Sequence, residues 1–186
     1  MTNNKIANPG ALGLTAFGMT TLLVMFYDFR QIEVEYLAMG MMIFIGGLLQ
    51  LIVGVMEYRD GNTFGTVAFS SYGAFWMSFA FMNFFNTGGL VAEAKGMYFF
   101  VWFLLTFMLF FGTLRTTRAL QAVFGLLTIV FLGLSIGSFL GNSDIIVGTA
   151  AIGMVLGVVA IYTGLAQVIN EANGKVVLPL FPVSEE

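Results

Sequence analysis

Six stretches of the chain carry no Lys, Arg, Asp or Glu: residues 6–27, 36–56, 61–92, 96–114, 119–143 and 145–170. Each is between 19 and 32 residues long and is dominated by Phe, Leu, Val, Ile, Met and Gly. A bilayer's hydrocarbon core takes about 20 apolar residues of helix to cross, so each stretch is long enough for one crossing. The expected helices are 9–27, 37–56, 66–85, 97–114, 120–140 and 145–168. Irregular backbone facing lipid would leave peptide groups unpaired, which makes helix the expected form. The pattern predicts an all-α integral membrane protein with six transmembrane helices. Residues 1–170 form the six-span domain and 171–186 a short cytoplasmic tail.

Punctuation between the stretches agrees with that division. Gly61-Asn62-Thr63-Phe64-Gly65 predicts a tight turn, and Asn86-Thr87-Gly88-Gly89 ends the third helix on the far side. Asn173-Gly174 and the segment from Pro179 to Pro182 mark an irregular tail. A single charge, Lys5, precedes the first apolar stretch, which runs past Tyr27 without a small-x-small cleavage pattern. It therefore reads as a retained span, not a cleaved leader. Alternate connectors hold unequal basic charge. Lys5, Arg59, Arg115, Arg118 and Lys175 lie on one side, Arg30 and Lys95 on the other. The positive-inside bias then places both termini in the cytoplasm of a cell-membrane protein.

Glycines add a second periodicity. Gly40, Gly47 and Gly54 repeat every seven residues, Gly133, Gly137 and Gly141 every four, and Gly153 and Gly157 share a face. Small residues let helix backbones approach closely in lipid, either within one molecule or between subunits.

Composition changes the picture by exclusion. The chain is 59% hydrophobic and 9% charged, where a soluble domain averages about 25% charged residues. With no Cys and no His, thiolate and imidazole chemistry and their metal sites are absent, so no cofactor is expected. The net charge of −3 offers no basic patch for nucleic acid. The expected partners are membrane lipid and a small solute. No charged residue falls in the middle of a predicted span, which disfavours a buried carboxylate relay. Glu57 and Asp144 fall at span ends and read as solvated interfacial charges.

What remains inside is neutral and polar, including Gln50, Ser71, Tyr72, Thr106 and Thr163. As a set these suit a narrow path lined by hydroxyls, or simply hydrogen bonds within and between helices. The sharpest local feature is Asn8-Pro9-Gly10-Ala11-Leu12-Gly13-Leu14. Asn is a strong N-cap, and Pro at the next position lacks an N–H that would have been orphaned. The amides that follow point outward with the positive end of the helix dipole, a ready site for a carboxylate.

That segment resembles the Asn-Pro-Ala-Pro-Leu-Gly-Leu signature of the acetate uptake transporter family, which includes the succinate–acetate permeases. The likeness continues in order through Phe17-Gly18-Met19-Thr20-Thr21, Glu57-Tyr58, Gly61-Asn62-Thr63-Phe64-Gly65 and Ser71-Tyr72-Gly73-Ala74-Phe75-Trp76. Phe110-Phe111-Gly112-Thr113-Leu114, Gly141-Asn142, Ala160-Ile161-Tyr162 and Asn170-Glu171 through Leu178-Pro179 complete it. Two positions depart from the signature, Gly10 for Ala and Ala11 for the second Pro, which loosens the helix entry.

The resemblance implies a six-helix protomer, a homohexamer and one solute path through each protomer. It places a constriction at Phe17, Tyr72 and Leu127, the last by span alignment alone, and a determinant of substrate size at Ala160. The implied substrate-binding and helix-entry residues are Asn8, Pro9, Gly10, Ala11, Leu12, Gly13 and Leu14, with Thr20. Acetate and related short carboxylates, succinate among them, are the implied substrates. Desolvating a carboxylate at an apolar neck is costly, which favours the protonated acid or a proton accompanying the anion. Two other readings stay open on the residues alone. One is a channel for neutral solutes such as urea or short amides. The other is an intramembrane enzyme, which would have to use Ser, Thr or Tyr without a base.

Overall fold

The computed structural model describes residues 7–85 and 91–183. Six long helices account for most of these residues: α1 Pro9–Arg30, α2 Tyr36–Arg59, α3 Thr63–Phe84, α4 Ala92–Gly112, α5 Arg118–Phe139 and α6 Ser143–Asn173. These lie close to the six helices that the charge-free stretches predict. The turn expected at residues 86–89 and the charge of Lys5 lie outside the described residues.

The helix starts follow from local chemistry. Asn8, Asn62, Thr117 and Asn142 cap α1, α3, α5 and α6 with side-chain oxygens that accept first-turn amides. Pro9 occupies the first helical position of α1. The α2–α3 turn passes through Gly61 at φ +75°, and α6 stops at Gly174 at φ +62°, a region where a side chain is strained.

Five of the six helices are long and apolar enough to cross a membrane; α3 is not among them. Its Ser70, Ser71, Tyr72, Ser78 and Asn83 lower its hydropathy. The packing explains how such a helix is accommodated. Phe69, Tyr72, Phe75, Trp76 and Phe79 of α3 are all buried. They form ring contacts with Phe17 of α1, Tyr98 and Trp102 of α4, and Phe124 and Phe131 of α5. Helix α3 is thus the aromatic centre of the molecule, with its inner face covered by other helices instead of lipid.

The glycine periodicity resolves mainly as packing within the chain. A Cβ on Gly54 would strike Ser70 of α3, one on Gly133 would strike Thr149 of α6, and one on Gly153 would strike Met25 of α1. Gly40 has nothing nearby, and Gly141 instead makes a left-handed turn at φ +58°. The tightest crossing joins α1 to α6. A Cβ on Gly157 would lie 2.8 Å from the backbone nitrogen of Leu22, and one on Gly18 would lie 2.7 Å from the carbonyl oxygen of Gly157. Backbone cannot yield as a flexible side chain can. Gly157→Val is therefore expected to cost about 1–3 kcal/mol or more, read as a lower unfolding temperature in detergent, whereas Gly40→Ala should change little.

One departure from regular helix matters for the interior. The middle of α2, Met41–Leu49, winds as a π-helix, a form often found near functional sites. Gly46 and Gly47 lie within it, pressed against Trp76 and Met77 of α3, and ordinary α winding resumes at Gln50. The wider turn rotates Gln50 and all that follows relative to a regular helix.

At the other end of the chain, α6 continues to Asn173, three residues into the expected tail, and the remainder folds back. Asn170 Oδ1 accepts from the amides of Val177 and Leu178 at 2.7 and 2.9 Å. The Arg118 and Ala119 amides donate to the carbonyls of Phe181 and Leu180. The tail thereby satisfies amides at the start of α5 that would otherwise be orphaned.

Candidate functional site

A cavity of about 300 Å³ opens among the ends of α1, α2, α3, α5 and α6. Its wall can be followed helix by helix. On α1 it runs from the Asn8 cap to Phe17, and on α3 from the Asn62 cap to Tyr72. On α5 it runs from the Thr117 cap to Leu127. Helices α2 and α6 run the opposite way, so there it passes from Glu57 to Gln50 and from Gln167 to Thr163. Nine residues of α1 at 1.5 Å each make a depth of about 13 Å.

The deepest residue contributed by each helix defines the floor: Phe17, Gln50, Tyr72, Leu127 and Thr163. All five are buried, and the rings of Phe17 and Tyr72 stand 5.7 Å apart. The three candidate constriction residues, drawn from three different helices, therefore line the inner part of the same cavity. Tyr72 does not present a free phenol there, because its hydroxyl pairs with Thr106 Oγ1 of α4 at 3.0 Å.

The remaining candidates divide. Asn8, Gly10 and Leu14 line the cavity. Pro9 and Ala11 are buried outside its wall, Gly13 packs on the ring of Phe69, and Leu12 faces outward at 44% exposure. Thr20 and Ala160 are wholly buried and lie one helical turn beyond Phe17 and Thr163, past the floor. The Thr20 hydroxyl donates to the carbonyl of Ala16 at 3.0 Å.

The expectation of a hydroxyl-lined path needs adjustment. Thr15, Thr20, Thr128 and Thr163 all donate to the carbonyl four residues earlier. Such back-bonding lets a hydroxyl sit in an apolar helix without a distant partner. The wall is mostly apolar, and its polar side chains are largely satisfied within the protein. Asn8 Nδ2 donates to Gln167 Oε1 at 2.6 Å, while Asn8 Oδ1 accepts from the Gly10 amide at 3.0 Å. Gln167 Nε2 donates to the carbonyl of Thr163, and the Thr116 hydroxyl to that of Thr113. The Thr117 hydroxyl accepts from the Leu120 amide. Gln50 is the exception: it has no exposed surface, and neither its amide oxygen nor its amide nitrogen has a hydrogen-bond partner in the protein.

Glu57 corrects an expectation. It is not a solvated interfacial charge but is 3% exposed and lines the cavity, whereas Asp144 is exposed at the start of α6 as expected. Glu57 Oε2 accepts from Asn62 Nδ2 at 2.6 Å, and Asn62 Oδ1 in turn accepts from the Gly65 amide at 3.0 Å. A Cβ on Gly10 would lie 3.0 Å from Glu57 Oε1, and one on Gly65 would strike the same carboxylate. Glu57 thus beds its charge against the starts of both α1 and α3, where helix dipoles favour it. The anion site expected at the start of α1 already has a carboxylate of the protein beside it.

Gln50 and Glu57 are the residues that mattered most and stood out least. Their spacing of seven, with Gly54 between them, puts all three on one face of α2, which is the signal the sequence carries. Among the described residues no group of three or more Asp or Glu could hold a metal ion.

Residues 1–185 match the sequence pattern of the GPR1/FUN34/yaaH family. The succinate-acetate/proton symporter SatP of Escherichia coli (strain K12) is 41% identical over 184 residues, covering 97% of this chain and 98% of that protein. Acetate permease A of Emericella nidulans is 33% identical over 205 residues, covering 97% of this chain and 68% of the permease. The solved structure of the bacterial acetate channel SatP superposes with a TM-score of 0.90 at 40% identity, over 95% of this chain and 99% of that one.

Proposed function

This chain belongs to the GPR1/FUN34/yaaH family, and from that premise we propose that it carries acetate and other short carboxylates across the cell membrane. The route is the cavity floored by Phe17, Tyr72 and Leu127. The observation that carries the reading is that those three side chains, from three helices, line one cavity, with the rings of Phe17 and Tyr72 5.7 Å apart. An apolar floor discriminates by size and strips water from what passes, while the caps at the mouth present amides and a carboxylate. The names of the relatives, an acetate channel, an acetate permease and a succinate-acetate/proton symporter, support the same solute class.

The finer picture is part of the proposal. All six helices cross the bilayer, α3 shielded within the bundle, with both termini in the cytoplasm. Protomers assemble as a hexamer, each with its own path. Asn8 through Leu14 form the helix entry, and Ala160, beyond the floor, bears on substrate size through the packing of α6 against α1. Succinate is a second substrate, and a proton accompanies the carboxylate. Among the described residues no titratable side chain lies at the floor apart from Tyr72, whose hydroxyl is committed to Thr106, so the proton travels on the substrate or through water.

Uptake of labelled acetate and of labelled urea into vesicles holding the purified protein tests the reading. Acetate uptake well above that of protein-free vesicles, rising with the protonated fraction as pH falls, is the expected outcome. Uptake of urea without acetate would point instead to a channel for neutral solutes.

A further inference from the structure

Gln50 has a fully buried primary amide on the floor of the cavity, beside the candidate constriction. Every other polar side chain on the wall makes at least one hydrogen bond within the protein, yet the donor and the acceptor of Gln50 both have no partner there. Burying an amide unpaired is costly, so one kept at this position signals a partner that arrives from the cavity. The two ends of the amide specify that partner. They fit a small molecule that offers one acceptor and one donor side by side.

An undissociated carboxylic acid has that pattern: a carbonyl oxygen to accept from Nε2 and an O–H to donate to Oε1. A carboxylate lacks the hydrogen, so binding in the same pose would set its second oxygen against Oε1. Among the described residues, the titratable or charged side chains that face the cavity are Glu57 on α2, at the mouth, and Tyr72 on α3. Those that α1, α5, α6 and the tail contribute are neutral. Nothing at the floor supplies a positive charge to an anion.

We propose that Gln50 recognises the protonated acid through this two-point ring, and so links proton to substrate without a titrating group of the protein. The inference rests on the transport reading above and assigns its selective step to one side chain. It also accounts for the wide π-turn ahead of Gln50, which sets the direction in which the amide points.

Competition against labelled acetate uptake in vesicles tests it. Acetamide offers the same donor and acceptor and does not titrate; methyl acetate keeps the carbonyl but has no hydrogen to donate. In the unmodified protein, acetamide should inhibit about tenfold more strongly than methyl acetate, the worth of one hydrogen bond in a dry site. Gln50→Leu and the shortened Gln50→Asn should both remove that preference. Equal inhibition by the two compounds in the unmodified protein overturns the assignment without any variant, as does a preference that survives in folded Gln50→Leu. Absence of acetate uptake by the unmodified protein would overturn the transport reading and this assignment together.

Discussion

Phe17→Ala is expected to raise the flux of four-carbon acids relative to acetate by about tenfold, the scale on which one or two methylene groups are discriminated by an apolar site. Phe17 is 4% exposed, contacts the rings of Tyr72 and Trp76, and is the deepest α1 residue on the cavity wall. Removing its ring opens the floor from the α1 side and leaves Tyr72 and Leu127 in place. The change also costs packing, about 3–5 kcal/mol by analogy with buried Phe→Ala changes in soluble cores. Phe17→Leu, which keeps more of the apolar volume, should fold better and shift the ratio less. The measurement is paired uptake of labelled acetate and butyrate into vesicles. A folded Phe17→Ala protein with the original ratio would show that the solute does not pass this ring.

Glu57→Gln should make an acetate-shaped anion a better inhibitor. Two unit charges about 4 Å apart repel by about 4 kcal/mol at an effective dielectric near 20, so the Glu57 carboxylate opposes any anion at the start of α1. The amide keeps an acceptor for Asn62 Nδ2, which preserves the α3 cap while the charge is lost. Methanesulfonate has the shape of acetate and stays ionised. It should inhibit acetate uptake by the variant at about a tenth of the concentration needed for the unmodified protein, a change worth about 1.4 kcal/mol. The sign follows from the charge. The gap is widest where Glu57 is ionised, and it closes as pH falls, because protonation removes the same charge from the unmodified protein. Equal inhibition at all pH values would place the anion's entry away from Glu57.

These two side chains show what could be read along the chain and what could not. The helices were legible because lipid imposes one rule on every stretch: apolar side chains and internally bonded backbone. The cap at Asn8 was legible because a cap acts on an amide two or three residues away. Glu57 was misread for the opposite reason. At the end of an apolar stretch, a carboxylate in water and one bedded between two helix starts look the same, since Gly10 lies 47 positions away. Gln50 was visible as one polar residue among many. Thr15, Thr20, Thr128 and Thr163 satisfy themselves locally, and only the packed bundle separates them from the amide left without a partner.

The order of residues alone determined the number and approximate positions of the long helices and the capped start of α1 at Asn8. Each depends on interactions within a few residues or on solvent that treats all stretches alike. The tertiary structure decided which side chains share the cavity, that Ala160 and Thr20 fall a turn beyond its floor, and that α3 survives its polar content by lying among aromatic neighbours. Those outcomes depend on how six rods rotate about their own axes when they pack. A π-turn in α2 changes that rotation with no mark in the hydropathy pattern.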